Sequence, residues 1–217
     1  MLDQEIDERW LMLWERLGGD AAQSHLEWRR LITAYSVPER TYHTIEHVLE
    51  CQGEFDNCRT LARDPDVLEA ALWYHDAVYD PQKYDNEEAS ARLAREVFYR
   101  AGLPSERIKM VEQLILATRH SFVPSDKDSA LIVDIDLSIL GANTDRFDRY
   151  EAAIRREYSF VPEVVFRSKR AEILEGFLSR SFLFTTQTFR ERFELKARAN
   201  LTRSLERLKR INGDGNA

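Results

Sequence analysis

Apolar residues recur at spacings of three and four along nearly the whole chain, and no stretch alternates strictly, so the pattern predicts helices throughout. The first is expected over about 3–17, with Ile6, Trp10, Leu13 and Leu17 on one stripe and Gly18-Gly19 as its stop. A second spans roughly 24–35, a loop covers 37–43, and a third helix begins near Thr44. Asp64-Pro65 supplies cap and first turn for a fourth, expected to continue through VLEAALWYHDAVY. Asp85 caps a fifth that stops at Gly102, and Pro104-Ser105 opens a sixth that ends near His120. After the loop HSFVPSDKD, the run SALIVDIDLSIL forms another helix with Gly141 as its stop. Three more are expected over 143–160, 162–178 and about 188–210, with INGDGNA frayed at the end.

This is the pattern of an all-α protein of nine to ten helices. No repeat and no Ser/Gly-rich linker interrupts it, so one helical domain over 1–217 is the economical expectation. Eight Gly and six Pro leave too little turn chemistry for an all-β sandwich. Lys plus Arg number 31 against 38 Asp plus Glu, a formal net charge of −7, which argues against a protein that coats nucleic acid by neutralising phosphates. The long basic helix near the end alternates arginines with acids, the mark of a solvated, ion-paired face. No run approaches the roughly 18 apolar residues of a membrane span, and MLDQEIDERWLMLWERLGG does not read as a secretory signal. Cys51 and Cys58 match no zinc spacing and read as helix-borne thiols of a reducing compartment, so a cytoplasmic protein is expected.

Four of the five histidines stand where chemistry is plausible on physical grounds. His43 and His47 are four apart in YHTIEHV, which at a helix start gives them one face. His75 and Asp76 adjoin in a segment that is apolar nearly all round, and Asp134 and Asp136 interrupt a run of Leu, Ile and Val. Ionised carboxylates on buried helices are costly unless compensated, and one divalent metal ion would compensate all of them. Imidazole and carboxylate donors suit such an ion.

The set resembles the HD superfamily of metal-dependent phosphohydrolases: a His, then a His-Asp pair, then a distant Asp, on a helical bundle. Residue by residue that pattern falls on His47, His75, Asp76 and Asp136. YHTIEHV is similar to the YHxxxH element of cyclic nucleotide phosphodiesterases, and IDLSIL to their ADLSNP element. His120-Ser121-Phe122, ahead of the DID, resembles an HSF found in small bacterial HD hydrolases, and the whole assembly resembles a bacterial family of HD phosphohydrolases over roughly residues 10–205. The resemblance implies an HD domain with core motifs over 40–141 and helices 143–210 packing on it.

It further implies one divalent ion (Mn, Mg, Fe, Co, Ni or Zn) held by His47, His75, Asp76 and Asp136. His43 would then be proton donor to the leaving group, and Glu87 a group orienting water. Arg40, just before YHTIEH, and Arg119, beside His120, are candidates to face substrate phosphate, and Lys83 is a weaker candidate; Tyr42 and Trp73 are read as core. The expected partner is a small phosphorylated molecule, a nucleotide being the favoured class, and a homo-oligomer is compatible with everything above. Two other readings stand: a dinuclear-iron oxygenase, which asks for two extra histidines where only His120 lies between Asp76 and Asp136, and a non-catalytic nucleotide-binding module. Within DID, residues two apart lie ~200° apart around a helix, so one carboxylate alone can face a site. The neighbours of Asp136 are the more apolar, which selects Asp136 as ligand and leaves Asp134 to pair with an Arg or cap a neighbouring helix.

Overall fold

A computed structural model describes residues 2–120, 124 and 126–210, without the side chains of 2–7 and 21. Ile6, Ser121-Phe122 and the INGDGNA tail fall outside the described side chains or residues. Among the described residues the chain is all-α: α1 (Leu2–Arg16), α2 (Ala21–Tyr35), α3 (Ile45–Asp56), α4 (Pro65–Tyr74), α5 (Asn86–Arg100), α6 (Ser105–Ala117), α7 (Lys127–Asp136), α8 (Thr144–Glu157), α9 (Glu163–Leu178) and α10 (Gln187–Arg210). Short 3₁₀ turns occupy Arg59–Leu61 and Leu137–Gly141. The chain packs as two units, Met1–Val133 and Asp134–Ala217. No described helix is long and apolar enough to cross a membrane.

Side-chain caps set the starts of α4 and α8, the first of them the Asp64-Pro65 pair expected from the sequence, whereas Asp85 stands at the N-cap of α5 without a side-chain cap bond. Asp64 Oδ1 accepts from the Val67 N–H at 3.2 Å with Pro65 in the first turn, and Asn143 Oδ1 accepts from the Arg146 N–H at 2.9 Å. Gly102 ends α5 with φ +79°, a left-handed conformation that costs glycine nothing.

The first unit closes around large aromatics. Trp10 and Trp73 are fully buried, and Trp73 meets the rings of Trp10 and Trp28 edge-on at 5.8 and 5.6 Å, so it is core as expected. The Trp10 and Trp14 indole N–H groups donate to the carbonyls of Ser24 and Asp20, which lets both rings be buried without an orphaned donor. Glu69, buried on the otherwise apolar α4, receives Arg9 and Arg16 at 2.9 and 2.8 Å and Arg59 at 2.5 Å. An acid inside this unit is thus compensated by cations wherever arginines reach it.

In the second unit α10 lies against the turn Leu137–Gly141. Asn200 Nδ2 donates to the Leu140 and Ala142 carbonyls, each at 2.9 Å. A Cβ on Gly141 would stand 2.6 Å from Phe193 Cβ, so this glycine serves close approach rather than a left-handed stop. The basic face of α10 is ion-paired, Arg203 to Asp148 at 2.8 Å and Arg198 to Glu194 at 2.7 Å.

Four expectations are corrected. α4 ends at Tyr74 instead of running on through Tyr79: Tyr35 Oη donates to the Trp73 carbonyl in its last turn at 2.9 Å, and Arg40 Nη1 donates to the Asp76 carbonyl just beyond it at 2.6 Å. His43 precedes α3, whose N-cap is Thr44, so His43 and His47 do not share a helix face. α6 stops at Ala117, three residues before His120, which adopts φ +56°. The DIDLSILG run tightens to a 3₁₀ turn after Asp136.

Candidate metal centre

α3 carries His47 and, one turn later, Cys51; the end of α4 delivers His75 and Asp76. His47 and His75 are 2% and 1% exposed, and their Nε2 atoms stand 3.1 Å apart. Asp76 Oδ2 lies 3.1 Å from His75 Nε2 and 3.7 Å from His47 Nε2. Cys51 Sγ is 3.8 Å from both ring nitrogens of His47. The donor atoms of His47, Cys51 and His75 all lie within 4.8 Å of one another, a buried group with the donors and the spacing to hold a metal ion.

The hydrogen bonding fixes which atoms are available. His75 Nδ1 is 2.9 Å from the Leu72 carbonyl oxygen, which can only accept, so Nδ1 carries the proton. In the neutral ring the lone pair is then on Nε2, facing His47 Nε2 and the Asp76 carboxylate. An imidazole held at Nδ1 by a carbonyl is the usual arrangement for ligation through Nε2. Two nitrogens about 2.1 Å from a common ion at right angles to one another would be about 3.0 Å apart, so the donors fit.

Electrostatics agree with this convergence. Burial alone would push the Asp76 carboxyl up, but His75, His43 and His47, when protonated, hold it well below the usual carboxylate range; a bound cation among neutral imidazoles would supply the same positive charge. Glu87, at the start of α5, is pushed up by burial and by the nearby Asp76 and Glu88 carboxylates, with Arg119 acting the other way. Asn86 fixes the preceding loop by accepting from Asp80 N and donating to Asp80 O, both at 2.9 Å.

The remaining candidates are placed as follows. His43 stacks on Tyr79 with ring centroids 4.1 Å apart, and its ring is 6.1 Å from that of His47. Tyr42, 6% exposed, packs against both histidines, in keeping with a core role. Arg40 does not face outward: it is 7% exposed, donates to the carbonyls of His43, Asp76 and Ala77, and lies over Tyr35 and Tyr79. Its guanidinium therefore ties the His43 turn to the end of α4. Arg119 pairs with Glu88 and donates to Tyr84 O at 3.2 Å, so Glu88 already meets its charge. Lys83 is exposed and 3.8 Å from Asp80.

Asp134 and Asp136 separate as the helical phase requires. Asp134 is fully buried and accepts from Thr185 N at 2.8 Å and Thr186 N at 2.6 Å, the residues that lead into α10. It caps a neighbouring helix, as expected. The reasoning from apolar surroundings is overturned, since Asp134 is the more buried of the two and the Thr185 and Thr186 N–H groups, with help from Arg190, compensate it. Asp136 is the last residue of α7 and partly exposed.

Cys51 and Tyr79 are the residues that sequence reasoning missed. The His47–Cys51 spacing of four was a visible signal; the stacking of Tyr79 on His43 had none. Compared with family models, curated proteins and solved structures, the chain gives no match.

Proposed function

We propose that the protein is a metal-dependent phosphohydrolase that cleaves a phosphate ester or anhydride of a small molecule, a nucleotide being the favoured class. The observation that carries the metal part is the tautomer lock on His75, which turns its Nε2 lone pair toward His47 Nε2 and Asp76 at ion-binding separations. His47, His75 and Asp76 would hold one divalent ion, with Asp136 supplying the further carboxylate that the motif resemblance assigns. Such an ion neutralises charge on a phosphoryl group and lowers the pKa of water. Phosphoryl transfer asks for positioning and positive charge more than for covalent chemistry.

The chain's own groups have separable tasks in this reading. His43, held flat against Tyr79, donates a proton to the leaving oxygen. Arg40 is a positioning residue, since it grips the His43 and Asp76 carbonyls at once. Glu87 accepts a hydrogen bond from the water that attacks.

The test is metal analysis of the purified protein together with a release assay for phosphate and pyrophosphate. Nucleotides, deoxynucleotides and sugar phosphates are screened with Mn, Mg, Co, Fe, Ni and Zn. About one ion per chain and turnover of at least one nucleotide are expected. A protein that binds an ion yet hydrolyses nothing on that panel overturns the hydrolase reading and leaves a binding module.

A further inference from the structure

Cys51 has no task in the proposed chemistry, yet it is 2% exposed and its sulfur is directed at the histidine pair. It stands one helical turn beyond His47, so both side chains leave α3 on the same face. The other cysteine stands outside this donor group. Cys58 Sγ donates to the Glu54 carbonyl at 3.3 Å, the ordinary behaviour of a helix thiol toward the residue four before it. Cys51 Sγ lies 3.8 Å from His47 Nε2 and within 4.8 Å of the His75 donor atom. A thiolate about 2.3 Å and an imidazole nitrogen about 2.1 Å from one ion are about 3.1 Å apart at a right angle and about 3.6 Å apart at a tetrahedral one, so the sulfur need close in by less than about 1 Å.

Resting on the metal reading above, we propose that Cys51 is a thiolate ligand of this centre and biases it toward zinc, cobalt or ferrous iron over magnesium. As the metal–sulfur bond forms, the S–H bond breaks and its proton leaves to solvent; nothing is oxidised or reduced. A soft sulfur donor beside two imidazoles favours those ions, whereas a site of carboxylates and waters would favour magnesium or manganese. The motif pattern of His, His-Asp and Asp contains no sulfur, so Cys51 sets this chain's ion preference apart from what the pattern alone implies.

Cobalt(II) titration followed by absorption separates the two levels of the argument. The visible ligand-field bands report that an ion is bound, and a near-ultraviolet sulfur-to-cobalt charge-transfer band reports the Co–S bond. The full-length protein should show both. Cys58→Ser should keep both, which assigns the charge-transfer band to Cys51 even if Cys51 variants fold poorly. Cys51→Ser, with helix content checked by circular dichroism, should keep the visible bands, lose the charge-transfer band, and lose more affinity for zinc than for magnesium. Visible bands without a charge-transfer band in the unaltered protein overturn the role of Cys51 and leave the metal centre standing. Absence of any bound cobalt overturns the metal centre as well.

Discussion

His75 Nδ1 is bonded to the carbonyl oxygen of Leu72, three residues back on the last turn of α4, at 2.9 Å. That contact gives a carbonyl in the last turn of α4 a donor, and it presents the other ring nitrogen to His47.

If His47 is a ligand and His43 a proton donor, their alanine variants should differ in kind. His47→Ala should lose bound metal. His43→Ala should retain it while kcat falls by roughly 10²–10⁴-fold. Metal content by mass spectrometry beside initial rates checks this, and equal metal loss in both variants would mean that the roles are misassigned.

Asp134 and Asp136 should likewise part company. Removing the Asp134 carboxylate orphans the Thr185 and Thr186 N–H groups, so Asp134→Ala should cost about 1–3 kcal/mol in urea unfolding while keeping the metal. Asp136→Ala should lose metal. The reverse ordering would transfer the ligand assignment to Asp134.

Gly102 and Gly141 are glycines for different reasons, and substitution should expose the difference. Gly102 has φ +79° and open space at its Cβ, so Gly102→Ala should cost about 1–2 kcal/mol and Gly102→Asn less. At Gly141 a Cβ would press on Phe193, so Gly141→Ala should cost about 1–3 kcal/mol and Gly141→Asn more. Thermal midpoints of the four variants decide it; rescue by Asn at both positions would refute the steric account of Gly141.

The Asp64–Arg107 pair supplies a pH dependence. Burial raises the Asp64 carboxyl, but Arg107 at 2.8 Å and the Val67 N–H outweigh it, so the folded pKa is lowered. A lowered carboxylate pKa contributes stability above the unfolded value of about 3.9, lost as pH falls through that value toward the folded one. Asp64→Asn keeps the capping oxygen and removes the charge. Its urea midpoint should lie below that of the unaltered protein at pH 7 and converge with it near pH 3; a gap that widens on acidification would contradict the ion pair's part.

The sequence by itself determined the helices and several of their ends, because 3.6-residue periodicity and signals such as Asp64-Pro65 and Gly102 are local physics. It also singled out His47, His75 and Asp76, since buried imidazole and carboxylate on apolar segments demand compensation wherever they sit. The end of α4 is tied down by Tyr35 and Arg40, whose donors reach the Trp73 and Asp76 carbonyls from about forty residues away in sequence. The same distance hid the burial of Arg40, the pairing of Arg119 with Glu88, and the stacking of His43 on Tyr79. Asp134 was judged by the polarity of its helix neighbours, yet the backbone N–H groups of residues 185 and 186 compensate it. Periodicity reports which way a side chain leaves its own helix. What waits there is set by tertiary packing, because hydrogen-bond and ion-pair partners can come from any part of the chain.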